Sequence, residues 1–303
     1  MITRRTFLHT LGAAAAGSAL AAPEPFRLRY VLSSALYGET PLDVILPEVS
    51  KAGCESIDIW CKAHGNQREQ IAEMGDDAFA ALLEKNHTKL GVSTRYPLGP
   101  MKLQDEMAWL KKLGGKIVLC GSSGPKNPEG AEAKAALQKF MEDMKPHVAK
   151  AEELGVTIAI ENHANTALYH PDSLRYFAEF NRSPALGVAF AFHHLHEWQD
   201  QIPALIRDLG AAQLPFVYFQ EYSEGISKKV SKEIEMQQMP GFGGPLDYRL
   251  VVEALRGIRF AGVVSCFMHP TPRGVPILPT TAEVTAAVNK SRAYVENCLK
   301  ETA

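Results

Sequence analysis

The sequence predicts one α/β domain in which eight strand and helix units close into a (β/α)8 barrel. Eight short apolar runs alternate with longer segments of helical periodicity, which is the pattern of a parallel sheet with crossover helices. Each unit takes about 35 residues, a spacing typical of a βα unit. The first apolar run is not followed by the glycine-rich loop of a doubly wound nucleotide-binding sheet. A closed barrel is therefore favoured over an open sheet.

The predicted strands are runs of about five apolar residues, the pattern of parallel strands that are buried on both faces. In chain order they cover residues 28–33, 56–60, 90–95, 116–120, 156–161, 186–192, 216–220 and 262–268. The chain is 46% hydrophobic, so it supplies enough apolar side chains for one large core.

Two of the predicted helices have clear ends. The helix at 131–154 carries apolar residues at spacings of three and four and stops at Gly155, a common residue type after a helix C terminus. The helix at 281–299 begins behind Thr280, and Glu283 follows three residues later, which predicts a capping box.

Two long connections follow the seventh and eighth strands, at 222–245 and 270–279. Both leave the carboxyl ends of barrel strands, where (β/α)8 barrels carry their sites. Because binding residues are often found on such loops, we expect these two segments to form the wall or lid of a site.

Residues 1–21 have the features of a twin-arginine signal peptide. Arg4 and Arg5 precede an apolar run, and the small-x-small sequence at 19–21 fits a signal-peptidase site. The apolar run is shorter than a bilayer span, which takes about 20 residues. We therefore predict export to the periplasm or another extracytoplasmic space, no stable membrane anchor after cleavage, and a mature barrel of residues 22–303.

The charge balance argues against a nucleic-acid partner. The chain has 32 basic and 34 acidic side chains and a net charge of −2, so it has little electrostatic attraction to a phosphate backbone. Its five cysteines are an odd number and form no CxxC pair, which argues against a zinc ribbon or a redox motif. No disulfide is predicted, and the oligomeric state is left open.

Polar residues gather at the predicted strand ends, where side chains have little reason to exist for packing. The candidates are Asp58, Trp60 and His64 after the second strand, Arg95 and Tyr96 after the third, Glu161, Asn162 and His163 after the fifth, His193, His194 and His196 after the sixth, Gln220 and Glu221 after the seventh, and His269 and Arg273 after the eighth. Imidazole and carboxylate groups suit divalent Zn, Mn, Fe or Co. Such a metal polarises a sugar carbonyl and stabilises the enediolate left when a neighbouring proton is removed.

Several short motifs also occur in a known family. They are KLGV at 89–92, AEELGV at 151–156, IENH at 160–163 and FAGVVS at 260–265. Together they resemble the sugar phosphate isomerase/epimerase family of xylose isomerase-like TIM barrels over essentially the mature chain. IDIW at 57–60 with His64, NQREQ at 66–70 and FMHPTPRG at 267–274 resemble an exported branch of that family with a twin-arginine signal.

The resemblance implies metal-dependent isomerisation or epimerisation of keto-sugars, with some members acting as dehydratases, lyases or endonucleases. Endonuclease activity conflicts with export and with the acidic charge balance. The family usually supplies four metal ligands, which are Glu, Asp, His and Glu on strands five to eight. Here Glu161 matches the first, whereas Ala191, Tyr218 and Phe267 stand at the other three.

A rebuilt metal site is one reading of these departures. His194 matches the histidine of the family's Asp-x-x-His pattern. Strand alternation puts Gln220 on the face of Tyr218, and His269 on the face of Phe267, one step farther along each strand. We therefore expect Glu161, His194, Gln220 and His269 as ligands; the alternative is a polar pocket without metal.

The remaining candidates are assigned to catalysis or to substrate. We expect His163 to act beside the metal rather than on it, and Glu161, Glu221 and Asp58 are the other candidates for acid or base. The expected substrate contacts are His64, Trp60, Tyr37, Tyr96 and Arg273. Aromatic rings at a barrel rim suit the apolar face of a sugar, and an arginine suits a carboxylate or phosphate.

The sequence therefore predicts an exported, metal-dependent sugar or keto-sugar isomerase or epimerase that removes a proton next to a carbonyl. A keto-sugar lyase or dehydratase on the same site is an alternative. So is a non-catalytic carbohydrate-binding barrel that has lost its metal. The expected cofactor is a divalent ion, Mn, Zn, Co, Fe or Mg, and the partner is a small-molecule sugar.

Overall fold

The computed structural model describes residues 25–302, in which eight parallel strands form a nearly closed barrel. The strands are β1 (Val31–Ser33), β2 (Ser56–Trp60), β3 (Leu90–Thr94), β4 (Ile117–Gly121), β5 (Thr157–Glu161), β6 (Leu186–Ala191), β7 (Phe216–Phe219) and β8 (Val263–Cys266). Each strand pairs in parallel with the next one along the chain. A parallel bridge between Tyr30 and Val264 joins the last strand to the first. The predicted fold class is confirmed, and each predicted strand overlaps an observed one.

Helices follow the strands and surround the barrel. They are α1 (Leu42–Lys51), α2 (Gln67–Met74), α3 (Asp76–Lys85), α4 (Gln104–Lys112), α5 (Gly130–Leu154), α6 (Pro171–Phe180), α7 (Ile202–Leu209), α8 (Lys232–Met236), α9 (Tyr248–Gly257) and α10 (Thr281–Glu301). Short 3-10 turns fill several connections, and the longest of them, Phe192–Gln201, leads out of β6. No helix in residues 25–302 is both long enough and apolar enough to cross a lipid bilayer.

The ends of α5 and α10 follow the sequence signals. Gly155 closes α5 in the left-handed conformation, with a φ of 65°, which glycine adopts without steric cost. At the start of α10, the Thr280 hydroxyl accepts a hydrogen bond from the Glu283 N–H, and the Glu283 carboxylate accepts one from the Thr280 N–H. The predicted capping box is confirmed.

The strand side chains are buried on both sides of the sheet. Every residue of β6 is buried, and so are all four residues of β7 and of β8. Successive side chains of β3 point to opposite faces of the sheet. The Ser93 hydroxyl therefore donates outward to Glu106 on α4, while the Thr94 hydroxyl donates inward to Asp58. The outer face of the sheet therefore meets the helices, and the inner face fills the barrel.

The five cysteines all lie in the described part of the chain and are unpaired. Four of them are buried, and Cys54 is partly exposed. The predicted signal peptide at residues 1–21 lies outside the described residues.

The capping box gives a stability prediction. We expect Thr280→Ala to lower the free energy of unfolding by about 1 kcal/mol, because the Glu283 N–H at the start of α10 loses its side-chain acceptor. Thr280→Ser keeps a hydroxyl at this position and should retain most of the stability. Urea unfolding of the three proteins measures the effect, and equal losses in both variants would contradict the capping role.

Candidate active site

A cavity of about 650 Å³ opens at the carboxyl end of the barrel. The loops that follow β2, β5, β6, β7 and β8 line it, and six histidines face it. These six are His64, His163, His193, His194, His196 and His269. The volume lies within the range of small-molecule sites, which is about 300–1,000 Å³.

Glu161, His163 and His194 come together beneath this cavity. One ligand atom from each of the three side chains lies within 4.8 Å of the others. The His194 Nε2 is 4.0 Å from the Glu161 Oε1, and the rings of His163 and His194 have their centres 4.0 Å apart. Glu161 is 3% exposed and ends β5. The cluster therefore joins the end of β5 to the turn that follows β6.

A side-chain amide fixes the spacing of these two segments. The Asn162 Oδ1 accepts a hydrogen bond from the Ala191 N–H at 2.7 Å, and the Asn162 Nδ2 donates to the Ala191 carbonyl at 3.0 Å. Asn162 is fully buried and directly follows Glu161, the last residue of β5 that pairs with β6. Its side-chain amide makes the hydrogen bonds that a paired backbone would otherwise make. Glu161 and His163 flank it in sequence, so their backbone is held against β6.

The hydrogen bonds of His163 leave one ring nitrogen available. The His163 Nδ1 lies 2.6 Å from the Ala164 carbonyl oxygen, which only an N–H can satisfy. The proton is therefore assigned to Nδ1, and Nε2 carries the free lone pair. A second hydrogen bond of this kind is typical of metal-binding histidines.

Burial sets the charge of the cluster. Desolvation raises the pKa of Glu161, opposed by His163 and by a hydrogen bond from the Tyr96 hydroxyl. Burial and the neighbouring histidines lower the pKa of His194. Two imidazoles and one carboxylate make the donor set of a catalytic zinc-type site with open positions. The buried Glu161 carboxylate is only partly compensated by its neighbours, and a divalent cation would supply the missing positive charge. The residues therefore fit a metal ion.

The expected ligand set is brought together only in part. Glu161 and His194 meet as expected, but His269 does not join the cluster, and the Gln220 amide is turned to another side chain. The Gln220 amide donates to the Gln238 Oε1 at 2.8 Å, and the backbone of His269 is bonded to the same Gln238 side chain. His163, which we expected beside the metal, contributes the third ligand atom instead. In the extended chain it lies two residues from Glu161, on the same face.

Aromatic side chains fill the layer where the family's lost ligands would stand. The rings of Trp60 and Phe267 stack with centres 5.0 Å apart, and Tyr218 lies 5.3 Å from Phe267. All three residues are no more than 1% exposed. The polar cluster therefore lies on the cavity side of an apolar floor.

Two of the expected catalytic carboxylates face away from the cavity. Asp58 lies inside the barrel and accepts hydrogen bonds from the Trp60 indole at 2.6 Å and the Thr94 hydroxyl at 2.9 Å. The Glu221 Oε2 accepts from the Leu246 N–H at 2.8 Å. Burial raises the pKa of each carboxyl to about 7, and neither residue lines the cavity.

Only some of the expected substrate contacts line the cavity. His64 and Arg273 line the cavity, whereas Trp60 lies in the floor and Tyr96 is bonded to Glu161. The Tyr37 hydroxyl is bonded at 2.9 Å to Thr285 on α10 and does not line the cavity. Burial and the charge of Arg273 lower the pKa of His64 to about 4, so its ring is neutral near neutral pH.

The two long loops form the expected wall and are tied to each other. The Thr271 hydroxyl donates to the Gly225 carbonyl at 2.8 Å, and the Thr271 N–H donates to Glu235 on α8 at 2.8 Å. Arg273 donates to the carbonyl oxygens of Pro270 and Ile226 at 2.7 and 2.8 Å. Both loops therefore reach the cavity as one connected wall.

Further residues after β6 and β7 belong to the cavity wall. His193 is 3% exposed, and neither of its ring nitrogens has a hydrogen-bond partner among the described residues. His196 and Tyr222 stack on each other at the cavity wall. The signal was the sequence FHHLH directly after a buried strand, because a tight turn there brings all three imidazoles to one cavity.

Comparisons with known proteins agree with this architecture. Residues 46–288 match the family described as the xylose isomerase-like TIM barrel. No curated protein matches the chain in sequence.

Similar solved structures include IolI protein with a bound zinc atom, at 14% identity and a TM-score of 0.65, covering 91% of this chain and 99% of that one. D-Psicose 3-epimerase in the presence of D-fructose has 15% identity and a TM-score of 0.67, and the match covers 90% of this chain and 99% of that one. L-Ribulose 3-epimerase has 15% identity and a TM-score of 0.67, covering 91% and 96%. At these identities the likeness concerns the fold.

The raised pKa of Asp58 gives a pH prediction. Its carboxyl stays protonated up to a pH of about 7 in the folded protein, and only up to about 4 in the unfolded chain. The folded state therefore binds more protons between these values, so this group lowers the unfolding free energy as the pH rises, by up to about 1.4 kcal/mol per pH unit.

We expect Asp58→Asn to weaken this decline between about pH 4 and pH 7, measured by urea unfolding at a series of pH values. Asp77→Asn, which removes an exposed carboxyl on α3, is the matched control for the loss of one negative charge. Identical pH slopes in the two variants would contradict the assignment.

Proposed function

This chain belongs to the xylose isomerase-like TIM barrel family, and we propose that it is a metal-dependent isomerase or epimerase of a sugar or keto-sugar. The reaction begins with removal of a proton next to a carbonyl. The observation that carries the proposal is the cluster of Glu161, His163 and His194 at the base of a cavity of about 650 Å³.

The donor set supports a bound metal. Two imidazoles and a carboxylate suit Zn, Mn, Fe or Co and leave positions open for substrate oxygens. One structural relative holds zinc, and two others are sugar 3-epimerases by name. These names support the same class of chemistry here.

Glu161, the His163 Nε2 and His194 would hold the ion, and the bound ion would polarise a substrate carbonyl and stabilise the negative charge that develops on its oxygen. The Tyr96 hydroxyl donates to the Glu161 Oε2 and so orients this carboxylate. The aromatic floor of Trp60 and Phe267 excludes water beneath the cluster, which strengthens its electrostatic interactions.

A neutral imidazole at the cavity wall is the proposed proton acceptor. The His269 Nδ1 is buried without a hydrogen-bond partner among the described residues, and its ring centre lies 4.9 Å from that of His64. Burial and the charge of Arg273 lower the pKa of His269, so the ring can accept a proton near neutral pH. Asp58 and Glu221 are bonded elsewhere, which leaves this role to the histidines.

The position to which the proton returns decides the product. Return to the neighbouring carbon gives isomerisation, and return to the opposite face of the same carbon gives epimerisation. Loss of a leaving group from the same intermediate would make the protein a lyase or dehydratase. The replacement of three family ligands by Ala191, Tyr218 and Phe267 favours a second candidate, a carbohydrate-binding barrel without catalysis.

Metal content and proton exchange test the proposal. We expect one equivalent of a divalent metal in purified protein, measured by elemental analysis, and at least a 10-fold weaker metal affinity in His163→Ala and in His194→Ala because each loses a ligand. In deuterium oxide with D-fructose or D-psicose, we expect loss of the NMR signal from the proton next to the carbonyl. Glu161→Gln should slow this exchange by at least about 100-fold, because the ion would lose its charged ligand.

Gln220→Ala and His269→Ala are the matched controls for metal binding, because the Gln220 amide is bonded to Gln238 and His269 lies outside the cluster. Loss of metal in these two variants, with retention in His163→Ala, would favour the ligand set that the sequence predicted. Protein that binds ketoses but takes up no metal and catalyses no exchange would be the carbohydrate-binding barrel.

We also propose export by the twin-arginine route, on the basis of residues 1–21. In a host with this pathway, we expect the protein in the periplasmic fraction with an N terminus at Ala22, measured by intact mass. Replacing Arg4 and Arg5 by lysine should leave the uncleaved chain in the cytoplasm. Uncleaved wild-type protein in the cytoplasm would contradict the export proposal.

A further inference from the structure

The outer part of the cavity has an aromatic wall that the reaction proposed above does not use. The ring of Tyr222 stacks on that of His196, with centres 4.0 Å apart and planes 13° apart. Both residues line the cavity. Across the same cavity lies Tyr169, whose ring meets Trp198 edge-on at 5.5 Å.

Packing accounts for only one face of the Tyr222 ring. His196 covers that face, and the His196 Nδ1 lies 3.3 Å from the His193 carbonyl oxygen, which fixes the imidazole in place. Tyr222 remains 38% exposed. A rigid aromatic ring with a free face in a cavity is suited to stack on the C–H face of a sugar or on an aryl group.

This wall lies farther out than the metal-binding cluster. His196 follows His194 by two residues in the turn after β6, and Tyr222 follows the buried Gln220 by two residues after β7. Tyr222 is 38% exposed, whereas Glu161 is 3% exposed and the His194 side chain 13%, so the wall lies nearer solvent than the cluster does. A molecule with one ring at the cluster would therefore extend past Tyr222.

The charges around the cavity favour a neutral occupant. Among the described residues that line it, Arg273 is the only arginine or lysine. Its two terminal nitrogens donate to the backbone carbonyls of Pro270 and Ile226. A phosphate group would therefore find no free cationic fork of the kind that usually binds it.

We infer that the Tyr222 and His196 pair forms a second binding subsite, which takes the second ring of a neutral ketose glycoside. The first ring would lie over the cluster of Glu161, His163 and His194, so the identity of that ring rests on the proposed function. The second ring would stack on the free face of Tyr222 and would take no part in proton transfer.

Calorimetric binding of four sugars tests this subsite. D-Fructose is the single-ring probe, lactulose and isomaltulose are ketose disaccharides, and D-fructose 6-phosphate is the anionic probe. We expect at least one disaccharide to bind about 5-fold tighter than D-fructose, in line with stacking on one aromatic ring. D-Fructose 6-phosphate should bind no tighter than D-fructose.

Tyr222→Ala should reduce the disaccharide affinity to that of D-fructose and leave the affinity for D-fructose unchanged. Tyr222→Phe keeps the ring and should keep the gain. Tyr294→Ala is the matched control, because Tyr294 is 37% exposed on α10 and does not line the cavity. It should bind all four sugars like the wild type.

Equal affinity of the wild type for one and two rings, or a gain that survives in Tyr222→Ala, would overturn the subsite. Tighter binding of D-fructose 6-phosphate would overturn the neutral class of ligand. Binding or proton exchange with D-fructose but no disaccharide gain would overturn this inference alone. Failure to bind any of the four sugars would overturn the proposed function as well.

Discussion

Side-chain amides hold the carboxyl edge of this barrel together where the backbone ladder ends. Asn162 pairs with both backbone groups of Ala191, and Gln238 accepts from the N–H of His269 and donates to its carbonyl. The first links the ends of β5 and β6, and the second links the loop after β7 to the segment after β8. A side-chain amide carries N–H donors beside a carbonyl acceptor, as a peptide group does, so it can continue strand pairing by one step. These two pairs hold the backbone next to Glu161 and His163 and at His269.

The aromatic floor explains how the site can differ from that of the family. A metal coordinated in the barrel's upper layer needs polar side chains there, but Trp60, Tyr218 and Phe267 fill that volume and bury their rings. An ion in such a layer would lose its hydration without gaining ligands. The donors that remain together are Glu161, at the family's strand-five position, and His163 and His194, which line the cavity. In the proposed site, these two histidines would take the place of the lost ligands.

Burial around the cavity shifts the pKa of its histidines and that of its carboxyl group in opposite directions. Desolvation lowers the pKa of His64, His193, His194 and His269 and raises that of Glu161, because a charged form is unfavourable in every case. Neutral imidazoles can bind metal, accept protons and hydrogen-bond to sugar hydroxyls. The tied loops that carry Thr271 and Arg273 keep these groups away from bulk water. One environment therefore favours the whole set of roles proposed here.

The sequence by itself determined the barrel, because the period of its apolar residues fixes strands and helices locally, and the capping box at Thr280 and the stop at Gly155 are local as well. Its resemblance to the family also pointed to Glu161 and His194, which the structure brings together. Only the tertiary structure decided that His163 joins them, that Gln220 turns to Gln238, and that Tyr37 and Glu221 lie away from the cavity. Strand alternation tells which face a residue occupies, but the partner that captures its side chain comes from a distant loop or helix, and spacing along the chain carries no information about that partner.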